Sequence, residues 1–448
     1  MKKKLACIAL AACCALAVCG CNGGGDDKNK PEHLGLYVAE DGTMMKDGNP
    51  YYGIGVNYYS LINGCRTTPR KYDLTKAFAA LETLASYDVR VIRFNLGFYS
   101  SKEWYDFVQY DLEETHLKAL DQIVKKCEQL GIGLIPSFAW NPPAISDAFN
   151  EPCNKAFAQE DSNTMIWFLK FTKTVVSRYA QSPAIYAWEY GNEENLSSSI
   201  LSQYRPELSA PPQYFGEDSR KKRTEEDYMT YETHQKALEL FAKTVHAADP
   251  YHRMIGSGDA AQRPYIWHWA HEQEGRDTLE QFEEMFDMTV PGYMSAFSVH
   301  EYAHSDSGTS GKADAALDGS HTFESVDFVD YFAKYLQEGA RAKKAVYMGE
   351  TGYLAILPGT RDVWNSTDEA HSIKVTEAIL EAAYETDFPL TLLWTYDDRT
   401  IYNAANHTQH NGGTEHSWNE NFVKGKAYLE AIKEFNKKMD DKHAQATE

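Results

Sequence analysis

The sequence predicts a (β/α)₈ barrel in which long loops join strands to helices. Three observations predict it. From residue 51 onward, short apolar runs alternate with longer amphipathic segments, the pattern of a parallel sheet whose strands are separated by helices. Eight such runs can be counted, and no compositional break marks a linker between them. Eight alternations without a linker favour closure into a barrel over an open, doubly wound sheet.

The candidate strands are Tyr51–Tyr58, Val89–Leu96, Gly133–Ala139, Ile185–Gly191, Arg253–Ser257, Ala296–Glu301, Ala345–Gly349 and Leu390–Thr395. Each is short and mainly apolar, and most are rich in β-branched or aromatic residues, as strands covered on both faces are. The segments Leu74–Ser86, Leu117–Leu130, Met165–Tyr179, Tyr231–Ala247, Val326–Ala342 and Ala370–Glu385 read as helices. In Tyr231–Ala247, for example, Ala237, Leu238, Phe241 and Val245 form one apolar stripe. Three stretches, Ser197–Asp227, Ala303–Ser325 and Asp397–Trp418, follow candidate strands and read as long loops on the carboxyl-terminal face of the barrel. That face is where barrel enzymes place their chemistry.

The amino terminus reads as an address. Lys2, Lys3 and Lys4 precede an apolar run, Leu5–Val18, too short to span a bilayer but suited to a secretory signal. Gly20-Cys21 ends it in the manner of a bacterial lipoprotein cleavage box, with Cys21 as the lipidated residue, and Asn22-Gly-Gly-Gly-Asp-Asp27 reads as a tether. The expected organisation is a signal peptide over 1–20, a flexible acidic tether over 21–33 and a single catalytic domain over 34–440. The expected location is the bacterial cell envelope, at the outer membrane or cell surface, with the lipid as the only membrane contact. Five of the eight cysteines fall in the leader, and Cys65, Cys127 and Cys153 leave either one disulfide or none open. No cysteine or histidine spacing suggests zinc.

A formal charge of −21, or −24 once the three leader lysines are gone, disfavours nucleic acid and anionic lipid as partners and suits a neutral substrate. Aromatic residues make up 13% of the chain, enough to supply both a core and the flat faces that pack against sugar rings.

Two glutamates close apolar runs: Glu193, in Ile185-Tyr-Ala-Trp-Glu-Tyr-Gly-Asn-Glu-Glu194, and Glu350, in Lys344-Ala-Val-Tyr-Met-Gly-Glu-Thr-Gly352. Carboxylates at the ends of strands four and seven are the equipment for cleaving a glycosidic bond, one as proton donor and one as nucleophile or base. Arg93, inside the apolar run Val91-Ile-Arg93-Phe-Asn95, needs a buried anionic partner. Tyr302 is placed to hold Glu350 ionised through a hydrogen bond, Asn192 to bind a sugar hydroxyl, and Trp394 to floor the pocket.

As an ordered set, Tyr52-Gly-Ile-Gly-Val-Asn57-Tyr58-Tyr59, Val91-Ile-Arg93, Ala187-Trp188-Glu189-Tyr-Gly-Asn192-Glu193, His300-Glu-Tyr302, Met348-Gly-Glu350 and Trp394 resemble the strand-end motifs of glycoside hydrolase family 5. The Asn-Tyr-Tyr and Ala-Trp-Glu-x-x-Asn-Glu stretches are closest to its β-mannanase-like branch. The resemblance implies a retaining mechanism without cofactor, with Glu193 as acid/base and Glu350 as nucleophile. It implies supporting or substrate-binding roles for Arg93, Asn192, His300, Tyr302, Trp394 and Asn57, and a β-mannan or β-glucan substrate. Two departures stand out. Strand three ends Phe-Ala-Trp140-Asn141, where many members carry a histidine, and Glu194 follows the acid/base where proline is common.

Several residues have plainer readings. Glu189 is expected to pair structurally with Arg93 or another strand residue, Trp188 to pack in the core, and Glu194 to face solvent rather than raise the pKa of Glu193. Trp140 is a candidate sugar platform, and at most one of Trp267 and Trp269 lines the cleft. Asp397, Asp398, His407 and His410 lack the spacing of a metal site, so no metal is assigned. The alternatives are a barrel that binds glycan without cutting it and an exo-acting glycosidase. The chain is expected to act as a monomer.

Overall fold

Eight parallel strands close on themselves in chain order: β1 (Gly53–Asn57), β2 (Val91–Asn95), β3 (Gly133–Ala139), β4 (Ala187–Gly191), β5 (Met254–Gly256), β6 (Ala296–His300), β7 (Ala345–Thr351) and β8 (Leu390–Leu393), with β8 pairing back onto β1. The structure, a computed structural model, describes residues 31–202, 222–304, 343–354, 369–399 and 417–445, with short pieces at 312–316, 322–324, 329–330, 332–333, 401–403 and 408–410. Every expected strand is present, with ends that differ by no more than two residues.

Helices fill the outer layer for local reasons. Ser162 accepts the Met165 N–H to start Asn163–Tyr179, and Thr230 accepts the Thr233 N–H to start Tyr231–Ala248. Glu113–Leu130 stops at Gly131, whose φ of 72° is the left-handed conformation that glycine adopts most readily. The expected helix Val326–Ala342 lies almost wholly outside the described residues. The sequence reading did not anticipate helices Ser101–Gln109, Leu279–Asp287 and Val423–Gln445, or the antiparallel sheet of Leu36–Val38, Met44–Lys46 and Asn49–Pro50. Within the stretches read as loops, 401–403 pairs with 408–410, 312–316 with 322–324, and 303–304 with 353–354.

The barrel interior is layered, and the layers place the chemistry. Val91, Ile135, Ala187, Met254, Ala296, Tyr347, Leu390 and Leu392 form a buried apolar plug, against which Leu36 and Met44 of the amino-terminal sheet pack. Side chains alternate along a strand, so two residues further on each strand points into the next layer. On β2 that residue is Arg93, and on β4 it is Glu189. The apolar plug closes one end of the barrel, and a polar layer opens toward the other.

Candidate active site

Arg93 is fully buried and organises the polar layer. A guanidinium carries five N–H donors, and Arg93 makes five bonds: Nε to Glu189 Oε1 (2.6 Å), Nη1 to Asn57 Oδ1 (3.0 Å) and Glu350 Oε1 (2.7 Å), and Nη2 to Gly191 O (3.2 Å) and Asn192 Oδ1 (2.9 Å). Glu189 takes its second bond from the Tyr347 hydroxyl at 2.7 Å, so its role is the structural pairing expected of it. One buried cation thus ties β1, β2, β4 and β7 to a single geometry.

Strand alternation alone would turn Glu350 away from this layer. Tyr347 points inward, so Gly349 would follow it and Glu350 would face the helices. The register shows how the chain avoids this: Val299 pairs with Met348 but His300 pairs with Glu350, which leaves Gly349 as the extra residue of a β-bulge. A Cβ on Gly349 would lie 2.6 Å from His300 Nε2 and 2.8 Å from Ser298 Oγ, so the bulge has no room for a side chain. Asn57 holds it in place, donating from Nδ2 to Gly349 O at 2.8 Å. This corrects the expectation that Asn57 contacts substrate: it is wholly buried, with both ends of its amide spent on Arg93 and the bulge.

The two candidate acids stand in different surroundings. Glu350 is clamped, with Arg93 on Oε1 and the Tyr302 hydroxyl donating to Oε2 at 2.6 Å, the bond the sequence reading assigned to Tyr302. Glu193 has one side-chain partner among the described residues, His300 Nδ1 at 3.0 Å, and its side chain is 30% exposed against 5% for Glu350. Burial pushes both carboxyls up. On Glu350 the negative charge of Glu193 adds to that while Arg93 and the Tyr302 bond oppose it, and on Glu193 Arg93 opposes and Asp259 adds. The donors on Glu350 place the proton of this coupled pair on Glu193. Burial pushes His300 down to about 4, so it stands between the carboxylates as a neutral ring, hydrogen-bonded to Glu193 and 3.7 Å from Glu350.

Three aromatic rings from three strand ends cluster at the polar end of the barrel, one of them over Arg93. Tyr59, Trp140 and Trp394 lie with every pair of ring centroids 6.0 Å apart and planes within 24–27° of parallel. Trp140 also covers Arg93, whose Cζ is 5.0 Å from its ring, which reduces the access of water to the central cation. Tyr59 was not singled out by the sequence reading, although it sits in the quoted Asn57-Tyr58-Tyr59 stretch.

The family profile for Cellulase (glycosyl hydrolase family 5) matches residues 63–364, most of the barrel. The chain belongs to glycoside hydrolase family 5. It is 28% identical over 192 residues to a probable mannan endo-1,4-beta-mannosidase F of Aspergillus flavus, covering 39% of this chain and 41% of that protein. It spans between 22% and 46% of the length of the curated relatives it matches. Its fold is similar to that of an endo-1,4-beta-mannanase from Rhizomucor miehei, at 14% identity and a TM-score of 0.56, over 91% of this chain and 99% of the other. It is also similar to an exo-beta-1,4-mannosidase from Opitutaceae bacterium strain TAV5, at 15% identity and a TM-score of 0.55, over 90% of this chain and 63% of the other.

The remaining expectations sort out around this family 5 core. Glu194 does not face solvent: only 7% of it is exposed, and burial pushes its carboxyl up to about 7. The reason is local, because Glu193 has a φ of +55° and caps the short helix Glu194–Ser197, so the chain turns before Glu194. Trp188 is a core residue whose Nε1 donates to Asp249 at 2.8 Å. Trp267 and Trp269 lie on a short helix, Ile266–Ala270, and Trp267 donates to Glu284. Cys65, Cys127 and Cys153 are buried free thiols, with burial pushing Cys65 and Cys127 up to about 12. Asp397 and Asp398 are engaged by Arg399 and Tyr58, while His407 and Cys21 lie outside the described residues. Glu193, His300 and Glu350 have donor atoms within 4.8 Å of one another, but the Arg93 charge 2.7 Å from Glu350 opposes a metal cation there.

Proposed function

We propose that this family 5 chain is a retaining β-glycosidase that cleaves β-mannan. One observation carries the mechanism: a clamped carboxylate, Glu350, has an oxygen within 4.8 Å of one on a more exposed carboxyl of raised proton affinity, Glu193. Retaining enzymes hold their carboxyls about 5–5.5 Å apart, whereas inverting enzymes leave about 6.5–9.5 Å for a water molecule. Glu350 attacks the anomeric carbon while Glu193 protonates the departing oxygen, and Glu193 then takes a proton from the water that releases the sugar. Asn192 is held through its Oδ1 by Arg93, which leaves its Nδ2 to meet a substrate hydroxyl.

The mannan assignment is supported by the names of the relatives and by the Asn-Tyr-Tyr and Ala-Trp-Glu-x-x-Asn-Glu stretches. We further propose that the protein is exported and acylated on Cys21, and that it works as a monomer at the cell envelope. Product analysis over β-mannans, β-glucans and xylans tests the substrate and separates endo from exo action. Release of mannooligosaccharides with a β-anomer as the first product supports the proposal, and an initial α-anomer would refute retention. Glu350→Gln is expected to lose more than about 10³-fold in kcat while still binding mannooligosaccharide. Hydrolysis by that variant at the wild-type rate removes Glu350 from the mechanism.

A further inference from the structure

Behind the acid/base glutamate lies a buried ion pair that the mechanism above does not use. Asp259 follows β5, and both of its oxygens face His234 Nε2, at 3.1 and 2.9 Å, from the helix Tyr231–Ala248. Each residue is 1% exposed. Such a pair adds little net stability after desolvation, so its location matters more than its existence.

That location is against the turn carrying Glu193. The Glu193 N–H donates to Gly258 O at 2.9 Å, the Asn195 N–H donates to Asp259 Oδ1 at 3.3 Å, and Asn195 and Ala260 exchange bonds of 2.8 and 3.1 Å. Gly258 has a φ of +75°, and a Cβ there would lie 2.0 Å from Gly191 O, so the loop after β5 is pressed onto the end of β4. The segment 257–260 is therefore the mould in which the left-handed turn at Glu193 is held.

We propose that Asp259 and His234 are a positioning pair for the general acid, fixing the turn that carries Glu193 and balancing the charge behind it. The proposal rests on the assignment of Glu193 as acid/base. Asp259 contributes a negative charge that favours the proton on Glu193, and His234 contributes the positive charge that limits this effect. Burial strips His234 of its proton, but Asp259 and Glu194 restore it and together hold the ring above its ordinary range. Among the described residues, the other charged or titratable groups facing Glu193 are Arg93, Arg263, His300, Tyr302 and Glu350, and those facing the pair are Glu194, Tyr190, Tyr231 and again His300.

Opposite single variants separate this role from a merely structural one. Asp259→Asn removes the negative charge while Glu194 still favours the proton on His234, so Glu193 releases its proton more easily and the alkaline limb of kcat/KM moves down by about one pH unit. His234→Gln removes the positive charge and moves the same limb up, while the double variant returns it toward wild type. Movement of both singles in one direction, or a loss of kcat with the limb unmoved, overturns the proposal. Should His234→Gln not fold, Asp259→Asn alone decides it. The ring nitrogen shifts of His234 in the wild-type protein give a second readout that needs no turnover. An imidazolium at pH 6 is expected, and a neutral ring there overturns the charge balance whatever the substrate proves to be.

Discussion

Replacing Arg93 with lysine keeps the positive charge and takes away the fork that distributes it. Five acceptors, on Glu189, Asn57, Glu350, Gly191 and Asn192, now share five N–H donors. An ammonium has three, so at least two acceptors are left bare around a buried cation that Trp140 and the apolar plug shield from water. A buried polar group without its partner costs roughly 1–3 kcal/mol, which gives a destabilisation of about 2–6 kcal/mol for Arg93→Lys. The range is wide because the identity of the abandoned acceptors matters, a carboxylate being worse than a carbonyl. Urea unfolding of wild type and variant measures it, as a fall in midpoint with an unchanged slope. A variant within about 1 kcal/mol of wild type would refute the claim that all five bonds are made at once and that none is replaceable by water.

Tyr302→Phe removes a donor that lowers the proton affinity of Glu350, so Glu350 ionises only at higher pH and the acidic limb of kcat/KM shifts upward; an unmoved limb shows that Tyr302 does not act on the proposed nucleophile. Gly349→Ala drives a methyl into His300 Nε2 and Ser298 Oγ, with an expected loss of about 1–3 kcal/mol in thermal or urea unfolding and a fall in kcat. Wild-type behaviour of that variant would mean that the bulge can open without disturbing β6.

Much of the barrel was legible because its strands must be apolar on both faces, which makes an intruding charge conspicuous. Arg93 between Val91 and Asn95 is such a case, and so is Glu189 beside Trp188. Asn57 was misjudged because a residue at a strand end reads the same whether it serves a ligand or the protein, and its partner, Gly349 O, is a backbone atom that no side chain announces. Glu194 was misjudged because a charged residue just past a strand end reads as solvent-facing, and nothing in the sequence announces the left-handed turn at Glu193 that carries it back into the protein. Asp259 and His234 left no signal: 25 residues and a helix-to-strand connection separate them, and Ser257-Gly-Asp259 reads as any polar turn. Tyr59 stood in plain view, but its partners Trp140 and Trp394 come from strands three and eight, and only closure of the barrel brings the rings together.

The bulge at Gly349 makes the placement of the proposed nucleophile, Glu350, a matter of counting. Its direction is decided by the number of residues that precede it on β7, and not by any preference of the glutamate itself. A deletion of one residue between Ala345 and Gly349 would send the carboxylate into the helical layer and bring Thr351 to the cleft, with every neighbouring side chain still correct in type. The reading frame of this strand is therefore guarded more strictly than its composition. In comparing related chains, a gap placed one position off in β7 would align the wrong residue with Glu350, and Gly349 with Asn57 supplies the fixed mark from which to count.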